Sequence, residues 1–268
     1  KVKFFIPYYN RRLEINCPKI DDISVINANT CTLLKVFSID HIITIYKLLL
    51  HEKKILFIDK YYERLAKVTE GFISLLYPMQ WVHTYIPIMS DQMLKYLETF
   101  LPFLNGIHDS LMPLVKEIFN ETEMDNDELF LVYINDDKIK LGSSLTGKKI
   151  KTDKYIQENI SPLPTELEKK LKSKLKKIKS ELSIWKKDTK YDNYSNDYAE
   201  LKIRDAFIDF FIGMFRDYEK YLYLLDDQDV IFNNALFLET ILINEKPLYE
   251  DIIDTQLFQQ FTQNIIKE

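Results

Sequence analysis

From Ser38 onward the apolar positions follow two alternating rhythms, a helical stripe and a short continuous run. SIDHIITIYKLLLHEKK (38–54) is apolar nearly all round, which predicts a buried helix that Asp40 can cap and whose C-terminal dipole favours Lys53 and Lys54. ILFID (55–59) predicts a strand covered on both faces. In YYERLAKVTEGFISLL the stripe of Leu65, Val68, Thr69, Phe72, Leu75 and Leu76 predicts a second helix. It ends at Leu76, because Pro78 removes an N–H and disfavours helical geometry at Tyr77. Strand TYIPIM, helix SDQMLKYLETF capped by Ser90, strand FLNGI, helix SLMPLVKEIF and a last strand ELFLVYI continue the alternation, and NDD turns the chain into KIKLG. Pro87 inside a strand fits a strand end or a position whose N–H is unpaired. Strands separated by helices imply parallel crossovers, so the fold class is α/β, a wound and mostly parallel sheet with crossover helices.

After about residue 150 the strand pattern stops and an all-helical segment is expected. Leu167, Leu171, Leu175, Ile178, Leu182 and Trp185 recur three or four apart through 164–187, one amphipathic helix. The polar, acidic stretch 188–200 reads as a mobile loop, and three helices follow it, the last with Pro247 near its start. Three divisions result: an extended lead-in at 1–37, an α/β segment at 38–150 and a helical segment at 151–268.

Composition narrows the class. The chain has 268 residues and 46% hydrophobic content, enough to fold without staples. Cys17 and Cys31 form no framework, and His41, His51, His83 and His108 show no metal-ligand spacing with them, so free thiols and a reducing, cytosolic setting are expected, with no cofactor or metal. No apolar run reaches 18 residues, and the N-terminus lacks a signal-peptide pattern. The first residue is Lys1, which reads as a piece of a longer protein. A net charge of -5 argues against nucleic acid as a partner. The charge is uneven, however: residues 168–187 hold nine lysines and two glutamates, a net of +7. Such a helix reads either as a solvated flank of the core or as a patch, Lys172, Lys174, Lys176 and Lys177, attracted to an anionic membrane surface.

Enzyme signatures are weak. GSSLTGKK (142–149) nearly spells a phosphate-binding loop, but Lys149 stands where a hydroxyl should hold magnesium, and the expected strand before and helix after it are missing from the pattern. His83 could be a base or a ligand, yet no Asp or Glu follows it in a recognisable motif and no nucleophile elbow accompanies it, so a hydrogen-bonded structural histidine is the favoured reading. Five glycines form no dinucleotide fingerprint.

Three separated motifs carry a resemblance. They are Glu52, Lys53 and Lys54 after a short helix, then Tyr77, Pro78, Trp81, His83, Tyr85, Ile86 and Pro87, then Pro102, Phe103, Leu104, Gly106, Ile107 and His108. In this order and spacing they resemble the central segment of DENN domains, and FFIGMFRDYEKYL with DTQLFQQFTQNI looks like the downstream helical segment. The resemblance spans about residues 38 to 266. It implies a guanine-nucleotide exchange factor for a Rab-family small GTPase, acting by binding without covalent chemistry, cytoplasmic and peripheral to vesicle or endosomal membranes. In that family the GTPase lies between a longin-like first lobe, here expected upstream of Lys1, and a larger lobe made of the central and downstream segments. A non-catalytic scaffold or effector that binds a small GTPase or a longin-type partner is the alternative reading. Of the five arginines, Arg11, Arg12, Arg64, Arg204 and Arg216, none sits in a finger context. The motif residues Tyr77, Pro78, Trp81, His83, Tyr85, Pro87, Phe103 and Gly106 are expected to hold the scaffold. Contact with the GTPase is expected from loops beyond the strands' C-terminal ends, which carry Asp59, Lys60, Tyr61, Tyr62 and Arg64, then Ser90 and Asp91, then Asn105, His108 and Asp109. The first and third groups are the expected site.

Overall fold

The computed structural model describes residues 2–6, 11–15, 29–121, 128–148, 150–185, 192–224 and 230–264; Cys17, Lys149 and about half of the expected lead-in fall outside them. β1 (Val2–Ile6) and β2 (Arg11–Ile15) form an antiparallel pair. Residues 30–36 are not extended as expected: α1 (Thr30–Val36) buries Cys31, Leu33 and Leu34, a spacing that places them on one helical face. It packs against α3 (Tyr62–Ser74) and α7 (Asp192–Phe215). α2 (Ile39–Leu50) follows, capped by the Ser38 hydroxyl, which accepts from His41 N–H, rather than by Asp40. Asp137, from a distant turn, accepts from Ser38 N–H at 3.0 Å and meets His41 Nδ1 at 2.6 Å, which pins that helix start to the sheet.

Ile55, Leu56, Phe57 and Ile58 are all buried in β3 (Lys54–Asp59), the centre of a five-stranded sheet. A strand with four consecutive apolar side chains needs cover on both faces. β4 (Thr84–Met89), β5 (Phe103–His108), β6 (Leu129–Tyr133) and β7 (Lys138–Leu141) complete the sheet in the order β4-β5-β3-β6-β7. The first three pairings along that order are parallel, and β6 with β7 is antiparallel, so KIKLG adds an edge strand beyond the expected last one. Alternation splits the strands between two cores. Ile55, Phe57, Leu104, Phe130 and Val132 join the helical layers, whereas Leu56, Ile58, Phe103, Ile107, Leu129 and Leu131 meet Leu94, Leu97 and the Val115–Phe119 face of α4 (Met112–Glu121).

Edge strand β4 accommodates Pro87 through a bulge: Ile86 pairs with Asn105 and Met89 with Ile107, one residue too many on the β4 side. Asn105 Oδ1 accepts from Ile86 N–H at 3.0 Å, a side-chain bond where the ladder breaks. Residues 91–98 form a 3-10 helix whose Ser90 contributes its carbonyl, to Met93 N–H, and no side-chain cap.

GSSLTGKK does follow a strand and precede a helix, α5 (Thr152–Asn159), contrary to the pattern reading. Residues 142–146 nevertheless close on themselves as a 3-10 turn, with the Ser143 carbonyl taken by Lys148 N–H and the Thr146 hydroxyl. α6 (Thr165–Trp185) forms as expected. Over 192–200 the expected loop is corrected by α7, which already runs from Asp192; Ala199 and Ile203 are buried while Asp197 and Tyr198 are exposed, and residues 188–191 lie outside the described ones. A hairpin of β8 (Leu222–Leu224) and β9 (Val230–Phe232) interrupts the helices, Phe232 packing on Phe237 and Phe258. α8 (Asn234–Glu239), α9 (Lys246–Ile253) and α10 (Gln256–Asn264) end the fold, the last two split where the Thr255 hydroxyl caps α10.

One turn fastens the two halves together by hydrogen bonds. Glu52, held at φ 49, aims its carboxylate at the start of α10 and accepts from Leu257 N–H at 2.7 Å and Gln256 N–H at 3.2 Å. These are helix N-terminal donors with no partner of their own in the helix, and a carboxylate there also meets the positive end of the dipole. His83 Nε2 lies 2.9 Å from the same carboxylate. Glu52 of the first family motif, His83 of the second and the LFQQF helix thus form a single joint.

Candidate functional site

The parallel strands β3, β5 and β6 end on one edge of the sheet, where open α/β sheets offer partners a crevice. At the end of β3 the turning backbone needs acceptors, and Asp59 supplies them. Its carboxylate, 1% exposed, takes Lys60 N–H at 2.7 Å and Tyr61 N–H at 3.3 Å on Oδ1. Arg64 grips both oxygens, Nε on Oδ2 and Nη2 on Oδ1 at 2.6 Å. A buried charge is tolerated only when paired and hydrogen-bonded, and here all four bonds are local to one turn and the first turn of α3. The Asp59 hydrogen bonds in turn raise the Arg64 pKa further above its ordinary value. Arg64 Nη2 also reaches Asn135 Oδ1 at 3.3 Å, which ties the end of β6 to the end of β3.

His108, the register partner of Asp59, braces the other side. Its Nδ1 accepts from Ser110 N–H at 3.2 Å, so in the neutral ring Nε2 carries the proton and donates to the Lys60 carbonyl at 3.0 Å. Tyr62 stacks on this ring, 4.8 Å between centroids at 30°. Lys60 Nζ and the Arg64 guanidinium each sit 5.0 Å from the Tyr61 ring centre, within cation–π range. The frame therefore holds Tyr61 and Tyr62 outward, 53% and 54% exposed, beside an open cavity of about 580 Å³ lined by Thr32, Lys60, Tyr61, Tyr62, Glu63, Arg64 and Lys67. With both His108 nitrogens engaged within the protein, this group has the character of a contact surface: aromatic rings and a guanidinium on a rigid base, the residue types that dominate protein–protein binding energy.

Of the expected site residues, Lys60, Tyr61, Tyr62, Arg64, His108 and Asp109 come together, Asp109 Oδ1 lying 3.3 Å from His108 Nδ1. Asp59 belongs to the frame rather than the surface. Asn105 is corrected: it is fully buried within β5, three residues before the strand ends, and its amide serves the β4 bulge. Asn135 and Asp136 after β6, both exposed, and Thr32 of α1 extend the surface. The signal for the first two lies in the sequence, since ELFLVYI reads as a strand and NDD as its outgoing turn.

The family-motif residues have internal partners. Trp81 Nε1 donates to the Thr84 carbonyl at 3.2 Å and meets His83 edge-on. The Tyr85 hydroxyl lies 3.4 Å from Thr69 Oγ1, and burial raises its pKa. Phe103 is buried in the smaller core, and Tyr77 precedes Pro78 through a cis peptide bond. Among the described residues no three metal-ligating groups converge, and no helix is long and apolar enough to cross a membrane. Burial pushes the Cys31 thiol up to about 12, so it is unreactive at neutral pH. The lysine patch is corrected in part, because Lys172 is bound by Asp40 and Glu168 and Lys174 by Asp209, whereas Lys176 and Lys177 are exposed.

The sequence profile of the DENN (AEX-3) domain matches residues 2–135. Human DENN domain-containing protein 2B is 25% identical over 98% of this chain and 21% of its own length. DENN domain-containing protein 1A of Xenopus laevis is 24% identical over 88% of the chain and 20% of its own length, and human DENN domain-containing protein 1B is 27% identical over 83% and 24%. The chain thus spans about a fifth of the length of the curated relatives it matches. The profile covers half of the chain and the relatives continue the likeness through the downstream helices: the chain belongs to the DENN domain family.

Proposed function

We propose that this chain is the larger lobe of a guanine-nucleotide exchange factor for a Rab-type small GTPase, and that the GTPase docks on the Tyr61, Tyr62, Arg64 and His108 surface. The observation that carries the reading is the braced pair of exposed tyrosines at the C-terminal edge of the parallel sheet. Membership of the DENN family supports the choice of partner. Exchange needs no covalent step. A surface that binds the nucleotide-free, switch-displaced GTPase more tightly than the GDP-bound form lowers the barrier to GDP release by that difference. A rigid surface suits the task, because a partner forced to adapt to it bears the conformational change itself. We place the protein in the cytoplasm at the periphery of vesicle or endosomal membranes, where lipid-anchored GTPases are met.

GDP release from a panel of Rab proteins, measured with the parent protein, tests the placement. Tyr62→Ala and His108→Ala should each slow release about tenfold or more, the size expected of a central aromatic anchor. Unchanged rates in both variants, each shown to be folded, would remove the surface from the mechanism.

A further inference from the structure

The long helix α6 presents a face that the core does not use. Leu171, Leu175, Ile178 and Leu182 are buried on one side. The other side exposes Lys169, Lys170, Ser173, Lys176, Lys177 and Ser180. Lys169 is paired with Glu166 at 2.8 Å, and the flanking Lys172 and Lys174 are held by carboxylates. Among the described residues no carboxylate lies within ion-pair distance of Lys170, Lys176 or Lys177. Seven residues of helix rise separate Lys170 from Lys177, roughly 10 Å, and all three lysines stand on the exposed side of α6.

We propose that Lys170, Lys176 and Lys177 form a docking face for the surface of an anionic lipid bilayer, recognised as a plane of charge and not as a single headgroup. Charge complementarity selects this occupant. In a chain of net charge -5, three exposed lysines that form no ion pair with a described carboxylate share the outward side of α6, a local positive surface that an anionic plane can meet from that side. A single-stranded nucleic acid would favour a basic groove with aromatic platforms, and this face carries only lysine and serine between its acidic flanks. Glu166, Asp40 and Asp209 reduce the potential, which keeps docking weak and salt-sensitive.

The position of the face adds support of a second kind. Lys172 meets Asp40 at the start of α2, and Lys179 donates to the Phe37 carbonyl at 2.8 Å. Ser38 and His41 of the same helix start are fastened to Asp137, in the turn whose Asn135 holds Arg64. A chain of contacts therefore links α6 to the turn that braces the tyrosine surface. The lipid contact does not depend on the GTPase reading.

Co-sedimentation of the 268-residue chain with vesicles tests the proposal. The chain should sediment with phosphatidylserine-containing vesicles at low salt, lose most of that binding near physiological salt, and ignore pure phosphatidylcholine. Each lysine that reaches the surface contributes roughly fivefold, so Lys170→Glu, Lys176→Glu and Lys177→Glu combined should reduce binding about a hundredfold or more. Lys172→Gln should change it less than about twofold, since that charge is already neutralised within the fold. Circular dichroism checks that both variants remain folded. Four results would overturn the assignment: no sedimentation of the wild type at low salt, a triple variant that binds like the wild type, displacement by soluble inositol phosphate at equimolar amounts, which would indicate a headgroup site, or tighter binding of single-stranded DNA than of vesicles.

Discussion

Gly106→Ala should destabilise the protein by about 3 kcal/mol, enough to leave a large fraction of the chain unfolded if its total stability is of ordinary size. A Cβ at position 106 would stand 2.2 Å from the Pro87 carbonyl oxygen and 2.9 Å from Leu65 Cγ. The first contact is with backbone, which cannot rotate away as a side chain can. Pro87 sits where it does because β4 bulges around it, and the Asn105 amide fixes Ile86 beside it. The second contact is with α3, which crosses the sheet at this glycine. Relief would require β4, α3 or both to shift, and both belong to well-packed layers. The family motifs around Pro87 and Gly106 therefore record one steric requirement. Urea unfolding followed by circular dichroism measures it, with Gly147→Ala as the comparison. At Gly147 a Cβ would meet nothing within 4 Å, but φ is +84, so the substitution should cost only about 1 kcal/mol. A Gly106→Ala variant within about 0.5 kcal/mol of the wild type would show that the close approach does not constrain the fold.

Arg64→Ala should cost about 3 to 5 kcal/mol, since it removes the partner of a carboxylate that is 1% exposed. Asp59 would keep two backbone donors and lose the fork that grips both oxygens. Arg64→Lys should recover only part of the loss, because an ammonium cannot reproduce the two-point grip or the reach to Asn135. Exchange activity should fall with stability in both variants, as the loop carrying Tyr61 and Tyr62 loses its frame. Tyr62→Ala separates the two effects: its ring is more than half exposed, so stability should change by less than about 1 kcal/mol while exchange falls. Thermal and urea unfolding beside GDP-release rates distinguish the frame residue from the contact residue. An Arg64→Ala variant as stable as the wild type would mean that the Asp59 turn does not depend on this pair.

The central sheet was legible because its strands are short apolar runs and its helices carry stripes, two periods that local sequence displays directly. The downstream half was harder to read. In α7 the polar, acidic start resembled a loop in sequence, since the first buried apolar residues, Ala199 and Ile203, come only after it. The β8–β9 hairpin has strands of three residues each and owes its place to Phe232 packing among distant aromatic side chains, which no local pattern shows. At the site, exposure of Tyr61 and Tyr62 could be anticipated from their place after a strand. Burial of Asn105 could not, because its role depends on a bulge in a neighbouring strand. The joint at Glu52 links residues more than 200 positions apart, and its parts were visible only as separate motifs.

If this lobe drives exchange, it favours a GTPase without nucleotide. The direct measurement is the affinity of the parent protein for one responsive Rab in three states, nucleotide-free, GDP-loaded and GTP-loaded, repeated with Tyr61→Ala and Tyr62→Ala combined. The nucleotide-free form should bind at least about a hundredfold more tightly than either loaded form, and the double substitution should remove most of that preference. Tightest binding to the GTP-loaded form, or a preference that survives the double substitution, would contradict the exchange mechanism placed on this surface.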